Sequence, residues 1–174
     1  MLTVICMCSC KGHLKTKENG TAPDEKNTAL LSETVKTWAD AYYSNKPDEY
    51  IERSFKNKEC MRLLGSVDYD YDAIFESAVR ELNDYAEFMN EKYSFYYVQT
   101  RPSEYEIYEK GSDTYQDYLS QLKDMYPNAD VIDAFALVEF YINIDYTQDS
   151  SMMSDEETSK VECMLINDNW YVID

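Results

Sequence analysis

One stretch, Val131 to Tyr146, constrains the fold of this 174-residue chain more than any other. Every second residue in it is apolar, which in an extended chain makes a continuous hydrophobic face. That face comprises Ile132, Ala134, Ala136, Val138, Phe140, Ile142, Ile144 and Tyr146. The other side mixes Asp133, Glu139, Asn143 and Asp145 with Phe135, Leu137 and Tyr141. The alternation predicts a strand of an antiparallel sheet with one dry and one partly wet face.

The predicted strand is unusually long. At ~3.3 Å per residue it would extend roughly 50 Å, so we expect a bend or a bulge in it. The closing segment, Lys160 to Asp174, is predicted to return beside it. There Val161, Cys163 and Leu165 alternate inward, Asn167-Asp168-Asn169 favours a tight turn, and Trp170 to Ile173 forms the last strand. A polar loop is expected from Thr147 to Thr158.

Upstream of this sheet the apolar spacing is helical. Leu31, Val35, Trp38 and Tyr42 form one stripe of a helix that Asn27 or Thr28 can cap and that ends near Ser44. Further helices are predicted at 48–55, at 58–64 closed by Gly65, at 71–90, and at 113–126 with Asp113 as its cap. Residues 93–108 are predicted to form one interrupted edge strand or two collinear ones, because Pro102 cannot donate to a central ladder.

These elements predict an α+β fold, with N-terminal helices packed on one face of a curved antiparallel sheet. The chain divides into residues 1–10, a signal-peptide remnant, residues 11–27, a flexible polar tether, and residues 28–174, the α+β domain.

The N-terminal segment suggests a lipid anchor. Met7-Cys8-Ser9-Cys10 resembles a bacterial lipobox, in which a small residue precedes the cysteine that is lipidated after cleavage. Cys10 is the predicted site and Cys8 the alternative. No Lys or Arg precedes the short apolar run, so the start of the protein could lie upstream of Met1. The alternative to a lipid anchor is a frayed N-terminus.

Composition excludes several functions. A formal charge of −18 disfavours nucleic acid as a partner, because it repels phosphate. His13 is the only histidine and lies in the predicted tether, so histidine triads and histidine zinc sites are excluded from the domain. The 17 tyrosines are compatible both with packing and with recognition.

The order of parts, with Asn45-Lys46-Pro47-Asp48-Glu49-Tyr50 after the first helix and a final Asn-Asp-Asn-Trp-Tyr-Val-Ile hairpin, resembles the nuclear transport factor 2-like, or cystatin-like, fold. It is similar, more narrowly, to small lipoproteins of Gram-positive gut bacteria, although Asp168-Asn169 replace the usual lysine and glycine. The resemblance implies a cone-shaped sheet whose mouth often holds a pocket, and assigns no ligand. Such a pocket would be lined by Trp38, Tyr42, Phe135, Tyr141 and Trp170.

Two acidic clusters approach the calcium-loop pattern. Asp68 begins one, but Ala73 and Val79 stand where glycine and glutamate are needed. Asp145 begins the other, with Glu156 at the twelfth place but Ser150 at the glycine place. We therefore predict no metal site and no cofactor. Cys60 and Cys163, the thiols outside the leader, are predicted to be separate and buried rather than paired.

The resulting hypothesis is a non-catalytic, extracytoplasmic, lipid-anchored binding or interaction domain on the outer face of the cell membrane, whose ligand is a small molecule or a protein. One alternative is a small enzyme of the same fold with a hydrophobic substrate, using a buried Asp133, Glu139 or Asp145 beside Tyr141. Another is a purely structural envelope domain.

Overall fold

The computed structural model describes residues 25–66, 69–148 and 150–173. In this part of the chain there are five α-helices, one 3₁₀ turn and a four-stranded antiparallel sheet, so the predicted α+β fold is confirmed. The helices are α1 Glu25–Tyr43, α2 Pro47–Arg53, α3 Lys58–Leu63, α4 Tyr71–Lys92 and α5 Asp113–Lys123, and the 3₁₀ turn is Ala129–Val131. The strands are β1 Phe95–Glu109, β2 Ala134–Gln148, β3 Ser151–Ile166 and β4 Asn169–Ile173, in that order across the open, curved sheet.

Strand β2 is the predicted long strand, and it pairs along its length with β1 and with β3. It begins three residues later than expected, because the 3₁₀ turn precedes it while Ile132 remains fully buried. Burial of Ile132 is why the alternation alone placed residues 131–133 in the strand. The expected bulge lies in the neighbouring strand, where the register of β1 shifts between Pro102 and Glu104.

The prediction of a polar loop from Thr147 to Thr158 is wrong. Gln148 pairs with Ser151, Ser150 has a φ of 65°, and β3 continues in unbroken register to the pair Ala134 and Leu165. Residues 151–158 are exposed on both faces, so they carry no apolar alternation that would mark a strand. Main-chain pairing with β2 is what makes them extended.

The inner face of the sheet, which carries the alternating apolar residues of β2, is covered by α1, α2 and α4. Leu31, Val35 and Ala39 of α1 pack against Val138 and its neighbours. At the far end of the strand, Met89 and Tyr93 contact Tyr146. The predicted dry face is therefore a solid core.

The outer face carries a second, smaller core at one end. Strand alternation directs Phe135, Met164 and Tyr171 to this side, where they pack with residues of α3 and α5 such as Cys60 and Tyr115. The helices are thus not all on one side: α5 and α3 cover the outer face near β4, in addition to the predicted helices on the inner face.

Local details differ by a few residues from the sequence expectations. Helix α1 already includes Glu25–Asn27, which were expected in the tether, because its apolar stripe begins only near Leu31 and does not mark the start. The Ser112 side chain, rather than Asp113, caps α5 by accepting from the backbone N–H of Tyr115. Gly65 follows α3 with a φ of 77°, as a C-terminal cap requires.

Cys60 and Cys163 are free and buried in different cores, which confirms the prediction of two separate thiols. Among the described residues, no helix has the length and apolar character that crossing a bilayer needs.

The inner core generates a stability prediction. Leu31→Ala removes a side chain that is 0% exposed between α1 and the sheet, so the free energy of unfolding should fall by about 2–5 kcal/mol. Met125→Ala, at a side chain 63% exposed, should change it by less than about 0.5 kcal/mol. Urea unfolding followed by tryptophan fluorescence measures both, and equal losses in the two variants would contradict the packing of α1 on the sheet.

Candidate functional site

The outer face is covered near β4 and uncovered toward the β2–β3 turn. The register aligns three rows of side chains there, one residue from each of β1, β2 and β3. We call these nine residues the distal outer face: Tyr97, Asp145 and Ser154; Gln99, Asn143 and Glu156; Arg101, Tyr141 and Thr158. None of the nine residues belongs to the outer core, in which α5 and α3 pack around Phe135, Met164 and Tyr171.

Large apolar side chains are exposed on this face and beside it. Tyr97 is 54% exposed, and Phe95 and Met152, which flank the rows toward the turn, are 56% and 69% exposed. Aromatic and methionine side chains are enriched at protein interfaces, whereas scattered single exposures are ordinary. Here they extend from the same face of one sheet, next to an arginine.

Polar contacts hold the middle of the distal outer face in place. The Arg101 guanidinium lies 4.9 Å from the centre of the Tyr141 ring, a cation–π contact. The Asn143 amide donates to Asp145 at 3.2 Å, and the Ser154 hydroxyl donates to the Asn143 oxygen at 3.0 Å. These contacts restrict side-chain rotamers before any partner arrives, which lowers the entropy that binding must remove.

A half-open cleft of about 530 Å³ joins this face to α1 across the edge of β1. Its lining includes Thr100, whose hydroxyl donates to Asp40 at 2.6 Å. Lys36 pairs with the same Asp40. Lys46, also at the cleft, pairs with Glu49 at 3.3 Å. The cleft therefore brings cations and anions together and has no single dominant charge.

A second cleft, of about 310 Å³, lies between the start of α1 and the start of β2. The Trp170 indole N–H donates to the Asn27 carbonyl at 3.2 Å, and Lys110 pairs with Asp133 at 2.9 Å. These bonds tie α1 to the sheet, so we assign this region a structural role.

The five residues expected to line a mouth pocket do not share one cavity. Trp38 stacks with Tyr42 and Tyr50 in the core between α1 and α2, and Phe135 is buried in the outer core. Trp170 is 3% exposed and borders the second cleft. Only Tyr141 of the five lies on the larger cleft and on the distal outer face.

None of the three acids considered for catalysis is fully buried. Asp133 is exposed and paired with Lys110. Glu139 pairs with Lys160 at 3.2 Å, and Asp145 belongs to the uncovered distal outer face. Among the described residues, no three or more histidine, cysteine or acidic side chains are grouped so that they could hold a metal. Asp70 caps α4, whereas Asp68, Asp149, Cys8 and Cys10 lie outside the described residues.

Titratable groups in the cores are held neutral. Burial raises the pKa of the Cys60 thiol to about 12 and raises that of Cys163 further above its ordinary value. Burial, followed by the charge of Glu162, raises the pKa of the Tyr118 hydroxyl to about 12. Protonated thiols are poor nucleophiles, so the two buried cysteines serve packing rather than chemistry.

Sequence reasoning found Tyr141 but missed the distal outer face as a surface. Once residues 147–158 had been assigned to a loop, Ser154, Glu156 and Thr158 could not be aligned with β2. The three rows exist only through the register of the strands, which the sequence pattern of these residues does not indicate.

Comparison with family models, with curated proteins and with solved structures finds no match to this chain.

Proposed function

We propose that the chain is a non-catalytic binding domain that recognises a protein partner through the distal outer face and the adjoining cleft. One observation carries this proposal. Within the described residues, no helix or loop packs over the three rows of side chains, whereas the residues of the inner and outer cores are buried. A sheet face that exposes tyrosine, arginine and methionine side chains together suits an interface.

The shape of the cleft favours a macromolecular partner over a small molecule. Small-molecule sites usually enclose most of their ligand, within mainly apolar walls. The cleft at β1 is half-open, and lysine, aspartate and glutamine side chains line it. A partner that covers the cleft and the face at once would bury both. With a formal charge of −18 on the chain, nucleic acid remains the disfavoured class of partner.

The enzyme alternative would be favoured by a shielded carboxylate in a deep cavity. The inner face of the sheet is instead filled by side chains such as Val138 and Phe140. Asp133 and Glu139 are paired with lysines, and the half-buried Asp145 accepts a hydrogen bond from the Asn143 amide. This arrangement favours binding. A structural envelope domain would have no need for an uncovered aromatic surface, which is the feature that separates it from the leading proposal.

The membrane anchor is a separate part of the proposal. It rests on the lipobox-like sequence at Cys10 and on the polar residues that follow it. A lipid on Cys10 would hold the domain at the extracytoplasmic face of the cell membrane. The likeness to nuclear transport factor 2-like domains stays a prediction, and the binding role does not depend on it.

Substitution of the anchor cysteine tests the location. In a Gram-positive host, the full chain should enter the detergent phase of a Triton X-114 partition, with a diacylglyceryl cysteine at position 10 as its mature N-terminus. Cys10→Ala should move the protein to the aqueous phase, and Cys8→Ala should not. Soluble cytoplasmic protein that carries an intact leader in mass spectrometry would contradict the anchor.

Site-specific photo-crosslinking tests the binding face. A photoreactive residue replacing Gln99, the β1 member of the middle row of the distal outer face, should give a discrete adduct on intact cells. The same residue replacing Tyr105, which is 41% exposed on the opposite face of β1, should give none. Because aromatic residues that are interface hot spots contribute about 2 kcal/mol or more, Tyr97→Ala should lower the adduct roughly tenfold or more. Equal adducts from both positions would contradict the proposal.

A further inference from the structure

Strand β3 has a long unpaired edge. β4 pairs only with residues 162–166 of β3, so residues 151–161 are bonded to β2 on one side and to no described strand on the other. In an antiparallel strand every second residue directs its N–H and C=O away from its neighbour, which leaves about five residues with free main-chain groups here. Residues 151–158 are exposed, which agrees with an edge that no described strand covers.

The other edges of the sheet are protected. β1 contains Pro102 and a register shift, both of which discourage the addition of a strand. β4 is bridged by Ser54, and the backbone N–H of Phe55 donates to the Val172 carbonyl at 2.7 Å. The edge at 151–161 contains no proline and no glycine, and its register with β2 is unbroken. It is therefore the edge best formed to accept another strand.

Charge decides what can pair with it. Asp155, Glu156 and Glu157 are consecutive and exposed, so their carboxylates project on both faces of the strand. Lys160, on the same face as Glu156, is paired with Glu139 rather than with Glu156. On the inner face, Asp155 interacts with Lys92 and with Tyr146. The edge remains acidic at its centre.

We infer that this edge binds an extended, basic segment of a partner protein as an added antiparallel or parallel strand. Main-chain hydrogen bonds to residues 151–161 would supply affinity, and lysine or arginine side chains would meet the three carboxylates. This inference deepens the proposed function, because a strand added to β3 extends each of the three rows of the distal outer face by one residue.

A second copy of the chain fits this edge poorly. Antiparallel pairing of two β3 edges about a twofold axis near Glu156 would place residues 155–157 of both copies against one another. Like charges directly opposite in a sheet are destabilising. The acidic residues thus oppose self-association while they attract a basic strand.

The test uses the full chain and a capped peptide of alternating lysine and valine. Titration followed by NMR should show saturable binding, with shift changes concentrated in the amides of residues 151–161. The same peptide methylated at every backbone nitrogen keeps its charge but has no main-chain N–H to donate, so its affinity should be at least tenfold lower. Equal affinities for the two peptides would overturn strand addition.

Two variants that each lose three negative charges distinguish attraction of the peptide to the β3 edge from attraction to the net charge of the chain. The triple change Asp155→Asn, Glu156→Gln and Glu157→Gln should lower the affinity for the peptide at least fivefold. The control changes Glu76→Gln, Asp84→Asn and Glu87→Gln remove the same charge from exposed positions of α4 and should lower it less than twofold. These near-isosteric changes at exposed positions leave both cores intact. Equal losses in both variants would overturn the inference.

Two further outcomes distinguish this inference from the proposed function. A cellular adduct at position 99 that is unaffected by neutralising residues 155–157 would leave the proposed function in place and overturn strand addition. Peptide binding at β3 without any cellular adduct on the distal outer face would overturn the proposed binding face and retain the edge as a strand-binding site. A dimer whose 151–161 amides are protected without the peptide would assign the edge to a second copy, and would overturn the inference.

Discussion

The pairing of β2 with both of its neighbours is the interaction on which the rest of the structure depends. Its register with β1 and β3 directs one set of side chains to the helices of the inner face and the other set to the outer face. Near β4 both sets are buried, and Val138 and Phe135 belong to different cores. Toward the β2–β3 turn only the inner set is covered, because α5 and α3 do not extend that far.

The distal outer face is uncovered because strands β2 and β3 are longer than the helix that packs on the outer side of the sheet. Strands of 15 and 16 residues exceed what an 11-residue helix on the outer face can cover, since a helix rises less per residue than a strand. The excess strand remains stable because β2 is packed on the inner face, where Tyr93 and Met89 contact Tyr146. This end of the sheet is stabilised by packing on its inner face. Its outer face and the edge of β3 therefore remain available to a partner.

The sequence predicted the parts of the fold that burial determines. The alternation from Ala134 to Tyr146 and the stripe at Leu31 and Val35 both mark residues that are buried in the core. The sequence could not predict β3 from Ser151 to Thr158, because those residues are exposed on both sides and main-chain pairing alone makes them a strand. The candidate site was missed for the same reason: Tyr141 was identified as an aromatic residue, but its row with Arg101 and Thr158 exists only through register.

The central claim is that residues 151–161 form an ordered strand with one free edge. Amide hydrogen exchange of β3 tests it most directly. Amides that donate to β2 should exchange slowly and alternate with amides that exchange almost as fast as in an unfolded chain, through the whole of this segment. The helix-covered part of β2, around Val138, should be the slowest region of the sheet. Uniformly fast exchange from 151 to 161 would contradict the strand, and uniformly slow exchange in a monomer would contradict the free edge.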